Sequence, residues 1–100
     1  MHKLRLTVAA RKDLETIQER GLEQFGLEPV RRHMQGFERI FTLLRTHAEA
    51  GTARPDYGDG IRVFSHRPHR LIYHVSDREI LILRVLHSAM DAASALGAKL

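Results

Sequence analysis

Ile80-Leu81-Ile82-Leu83-Arg84-Val85-Leu86-His87-Ser88-Ala89-Met90-Asp91 is the stretch on which the fold turns. It begins as a short apolar run, rich in Ile and Val, that only Arg84 interrupts. Such a run reads as a strand buried on both faces. A guanidinium inside it is costly unless an acid pairs with it or a function requires it. Simple alternation puts Arg84 on one sheet face with Ile82 and Leu86. His87 and Asp91 follow where the strand should end. Asp91 is the expected partner of Arg84, and that pair would tie the tail to the sheet.

Upstream of this strand, Ile61 to Ser65 and Arg70 to Val75 read as two more, joined by a turn around Arg67-Pro68. Ser76-Asp77-Arg78-Glu79 is a tight polar turn into Ile80. Three strands with short turns make an antiparallel meander. Gly51 to Gly60, with three Gly and Pro55, reads as a loop.

The first half of the chain has a helical period instead. Thr7 is a candidate N-cap, and Ala10, Leu14, Ile17, Gly21 and Phe25 then share one face. Gly21 leaves room for a neighbouring helix, and Gly26 reads as a C-terminal cap. Pro29 suits the first turn of a second helix, whose apolar positions are Val30, Met34, Phe37, Phe41, Leu44 and Ala48. Ile40 and Leu43 widen its stripe. Phe25, Phe37 and Phe41 are all expected in the core. Lys3 to Thr7 alternates as a short N-terminal strand. The expected class is α+β in two layers: a strand, an antiparallel helical hairpin, a three-stranded antiparallel meander and a short C-terminal helical turn. Which sheet edge the first strand takes is open at this stage.

One hundred residues suffice for one core, so residues 1–100 are expected to form a single domain. Cysteine is absent, which excludes disulfides and thiolate zinc sites and suits a reducing cytoplasm. No signal-peptide pattern or membrane-length apolar run is present, and no membrane role is expected. The net charge is +4, and its distribution says more than its total. Residues 61–76 hold Arg62, Arg67, Arg70, His66, His69 and His74 without one acid. Such a patch suits nucleic acid or an acidic partner segment, or is simply a solvated basic face.

Four pieces of the chain resemble the RelE/ParE superfamily of type II toxin–antitoxin toxins, and specifically its ParE branch. Leu6-Thr7-Val8-Ala9-Ala10-Arg11-Lys12-Asp13-Leu14 matches the opening of that family, and Gly60-Ile61-Arg62 its Gly-x-Arg. Leu71-Ile72-Tyr73 and Ile82 to Asp91 match its third strand and its ending. The pieces occur in the right order across nearly the whole chain. His74 departs from the pattern, because the family often has Arg there. The resemblance implies a toxin that binds and inhibits DNA gyrase. It also implies a ParD-like antitoxin whose C-terminal segment wraps the toxin, so that operator DNA is met only through the antitoxin. A role in plasmid stabilisation is part of the same implication. No cofactor or metal is expected.

Catalysis is the competing expectation. In-line cleavage of RNA needs a base, an acid and cationic charge at the phosphate. Arg84 and His87 are the candidates, but no aromatic residue follows Tyr73 and the tail ends Ala98-Lys99-Leu100. A ribosome-dependent mRNA endoribonuclease and an inactive homologue that only joins the antitoxin complex therefore stand as alternatives. Candidate antitoxin- or target-binding residues are Arg62, Arg67, Arg70, His74, Arg84 and His87. Arg84, His87 and Asp91 are equally candidates for a structural latch between strand and tail. His66 and His69 lack a nearby carboxylate or thiolate and make a poor metal pair.

Overall fold

The computed structural model describes residues 1–90 and 92–97. Strand β1 (Lys3–Leu6) leads into helices α1 (Val8–Phe25) and α2 (Leu27–Thr46). A two-residue β2 (Thr52–Ala53) and a 3-10 turn (Pro55–Tyr57) come next. The meander β3 (Ile61–His66), β4 (His69–Val75) and β5 (Glu79–His87) follows, then a short α3 (Ala92–Ala95). This is the α+β order expected. The expected loop at 51–60 is more ordered than its composition suggested, because Thr52 and Ala53 pair with Val63 and Arg62.

Local chemistry sets the helix ends. Thr7 Oγ1 accepts the Ala10 N–H at 2.9 Å, as an N-cap should. Gly26 sits at φ 84° and is the whole connection between α1 and α2. Gly21 faces Val30, and a methyl group added there would collide with that side chain. The hairpin can therefore close as the small residue suggested.

The sheet order is β1-β5-β4-β3-β2, which settles the open edge: β1 lies beside β5, and parallel to it. Phe37, Ile40, Phe41 and Leu44 of α2 bury against Leu71, Tyr73, Ile80, Ile82 and Val85. A smaller cluster, Ile72, Leu86 and Ala92, occupies the opposite sheet face under α3.

Two expectations need correction. Phe25 is 67% exposed, because it ends α1 beside the Gly26 turn, at a tip of the hairpin rather than over the sheet. Ile82 and Leu86 also fall on opposite faces. The pairing of β4 with β5 slips by one residue: Ile72 faces Arg84, but Tyr73 faces Ile82. Leu83 is the extra residue of this bulge, which reverses the alternation that strict period two predicts.

Candidate functional site

The bulge decides where Arg84 goes. Strand β1 pairs with β5 only along Glu79–Ile82, so the rest of that edge of β5 has no strand partner. The start of α1 closes it. Thr7 N–H donates to Ile82 O, and Thr7 Oγ1 donates to Leu83 O at 2.7 Å. Asp13, six residues further on, accepts the Val85 N–H at 2.9 Å. The same carboxylate takes both sides of the Arg84 fork, Nε at 2.7 Å and Nη2 at 2.8 Å. Arg84 Nη1 donates to Ala95 O at 2.9 Å. One guanidinium thus joins α1, β5 and α3 around the sheet edge.

Among the described residues the acid that holds Arg84 is Asp13, 71 residues away. Asp91, the expected partner, lies outside the described residues. His87 is exposed, and its Nδ1 accepts the Ala89 N–H at 3.2 Å, which braces the turn after β5.

At the same end of the sheet the strand pairing aligns three histidines. His66 faces His69, and His69 faces His87. His33 comes down from α2 and completes the group. Its ring stacks on His66 at 4.1 Å with 9° between planes. Its Nε2 lies 2.9 Å from His69 Nδ1, so one of the two rings donates and the other accepts. His66 Nε2 donates to the His33 carbonyl at 2.9 Å. Gly36, one helical turn from His33, has no side chain where the His66 ring lies. Alanine at Gly36 should displace that ring with its hydrogen bond and cost about 1–3 kcal/mol in chemical denaturation. An unchanged midpoint would show that His66 packs elsewhere.

Burial disfavours the charged form of His69 and of His33. The pKa of His69 is pushed down to about 4, first by desolvation and then by repulsion from His33, His87 and His66. His33 is lowered by desolvation and by His66. The sign of the linkage is definite. Below pH 6.5 the unfolded chain binds a proton that folded His69 refuses, so stability is complete above 6.5 and falls as the pH drops toward 4. Half-exposure reduces the loss to about 1–2 kcal/mol. Urea midpoints from pH 7.5 to 4 should show it, and His69→Gln should flatten the slope.

Beside the cluster, α1 and α2 part from the sheet and leave a groove of about 730 Å³. Ile17, Gly21, Phe25, Val30, Met34, Val85 and Met90 give it an apolar lining, and Asp13, Thr16, Arg20, Gln24, His33, His69 and His87 supply its polar positions. Among the described residues no group of three or more His, Asp or Glu is placed to hold a metal ion.

The other candidate residues are dispersed. Arg62 bonds to the Glu49 and Gly51 carbonyls at 3.1 and 2.8 Å and secures the chain between α2 and β2. Arg70 donates to Met90 O at 2.8 Å. Arg62 is paired with Tyr73 of the helix-side core, whereas Arg70 is paired with Leu86 of the opposite face. The two arginines do not make one basic surface. Arg67 is exposed in the turn, and His74 is half-buried beside Gly60. Asp13 and His33 were given no role from sequence. Asp13 lay within the quoted opening motif, and that was the available signal. A lone helical histidine such as His33 carried none.

A family model described as "ParE toxin of type II toxin-antitoxin system, parDE" matches residues 4–92. The chain belongs to that family. The curated Toxin ParE3 of Caulobacter vibrioides is 29% identical over 87 residues, 87% of each chain. Among solved structures, the chromosomal ParDE system of P. aeruginosa superposes with a TM-score of 0.73 at 27% identity, over 87% of this chain and 96% of that one. The E. coli DinJ–YafQ complex gives 0.62 at 18% identity, over 89% and 96%, and that likeness concerns the ParE fold alone. No helix among the described residues of this ParE-family chain is long and apolar enough to cross a membrane.

Proposed function

We propose that this ParE-family toxin acts in the cytoplasm by binding and inhibiting DNA gyrase, and that a cognate antitoxin neutralises it. The structural relative from P. aeruginosa is named as a ParDE toxin–antitoxin system, which supports an antitoxin partner here. The apolar groove between the hairpin and the sheet end suits an amphipathic antitoxin segment, with its acids toward Arg20. The observation that carries a binding role over ribonuclease chemistry is the state of Arg84. Three of its five N–H donors go to Asp13 and Ala95 and its charge is balanced by Asp13, which counts against a phosphate clamp beside His87.

The test compares two activities of the purified chain. Gyrase supercoiling should be blocked while mRNA in a translating extract stays intact, and added antitoxin should restore supercoiling. Cleaved mRNA with normal supercoiling would instead establish the endoribonuclease. Neither effect, together with unimpaired growth on induction, would establish an inactive homologue.

A further inference from the structure

The histidine cluster does more than fill space. Its four rings come from one helix and three strands, and each is tied to another ring or to backbone. The His33–His69 contact needs one ring to accept, so it survives one shared proton and not two. A second proton puts two cations 2.9 Å apart, with a third ring stacked on one of them.

The surrounding groups offer no relief. From α1, Arg20 and Asp13 line the groove, and Asp13 is already held by Arg84 of β5. Exposed Arg67 lies in the β3–β4 turn. Arg70 of β4 is directed to Met90 O. From α2, Met34 and Phe37 beside His33 are apolar. Of the charged groups named here only Asp13 is an acid, and Asp91 lies outside the described residues.

We propose that His33, His66, His69 and His87 form a proton-sensitive clasp that controls the groove. Neutral, His33 ties α2 to the ends of β3 and β4 through His66 and His69, His87 packs on His69 from β5, and His33, His69 and His87 line the groove. Doubly protonated, they drive α2 from the strand ends, and the groove loses its shape. The clasp stands on the chain alone. Its regulatory consequence, release of an antitoxin segment in acid, rests on the reading of the groove given above.

Imidazole nitrogen NMR of the isolated full chain, titrated from pH 7.5 to 4, tests the clasp. The expected result is a coupled titration with one step remaining below pH 5. A nitrogen–nitrogen coupling across the His33–His69 hydrogen bond should vanish at that step, and the Met34 and Val85 methyl signals should move with it. Four independent titrations near the ordinary histidine value, or unmoved groove methyls, would overturn the proposal. A second arm measures binding of a synthetic peptide of the cognate antitoxin's C-terminal segment. Its affinity should fall about two- to threefold from pH 7.5 to 4.0, and by less than that over the same range in His33→Phe/His69→Phe, which controls for protonation of the peptide's own acids. Tighter binding in acid would overturn the release mechanism. A peptide that does not bind at any pH would refute the groove as antitoxin seat, and the NMR arm would still decide the clasp.

Discussion

Asp13→Ala should be among the most damaging single changes in the molecule, lowering unfolding free energy by about 2–4 kcal/mol. Three losses combine. Arg84 keeps its charge in a site where its side chain is only 24% exposed, and its partner there, itself 14% exposed, is gone. The Val85 N–H loses its acceptor on the otherwise unpaired edge of β5. The start of α1 is then held to the bulge through Thr7 without Asp13. In a chain of this size the melting temperature should drop on the order of 10–20 °C. Asp13→Asn should cost less, because the amide oxygen can still accept from Val85. Arg84→Met should also destabilise, through release of Ala95 and an unbalanced Asp13. The two sites are in direct contact, so the double variant Asp13→Ala/Arg84→Met should be less damaged than the sum of the singles. Strict additivity in that cycle would show that the pair is not a unit.

Tyr73→Phe is the second large effect, expected at about 2–3 kcal/mol although it removes a single oxygen. Tyr73 is wholly buried in the middle strand of the sheet. Its hydroxyl donates to Ala48 O at 2.8 Å and accepts the Gly51 N–H at 2.9 Å. Burial raises the phenol's pKa, so the proton needed for the first of these bonds stays in place at ordinary pH. Phenylalanine fills the same space and leaves two buried backbone groups without partners. Gly51 is also so close to the hydroxyl and to Val63 O that no side chain fits there. The tyrosine thus fixes the path from α2 to β2. Denaturant midpoints should report the loss, and the Gly51 amide should exchange faster with solvent. A change under about 0.5 kcal/mol would mean that water replaces the hydroxyl at no cost.

These two residues show what sequence could reveal. The strand Ile80–Leu86, the Thr7 cap and the Gly26 turn were legible because each depends on neighbours within a few positions. The Asp13–Arg84 pair was not, because the nearness of two residues 71 apart follows only from strand order. The β5 bulge was hidden for a different reason. It keeps the apolar composition of the strand and changes only the phase, so Arg84 shares the face of Leu86 as alternation predicts but not that of Ile82. Phe25 was misread because helical spacing gives a face but not how far the covering sheet extends. The histidine row needed two pairing registers and a helix placement together, none of which His33, His66, His69 or His87 announces alone. The Arg and His residues of 61–76 were correctly noticed as acid-free, but alternation sent Arg62 and Arg70 to different sides.

The parallel pairing of Lys3–Leu6 with Glu79–Ile82 has a consequence for synthesis. Strand β1 leaves the ribosome some seventy residues before the strand it pairs with. Until Glu79 to Val85 emerge, β1 has no strand to join and Asp13 has neither its guanidinium nor its amide. Small domains of this kind fold as units, and long-range pairings form late. A nascent chain should therefore stay incomplete until β5 has emerged.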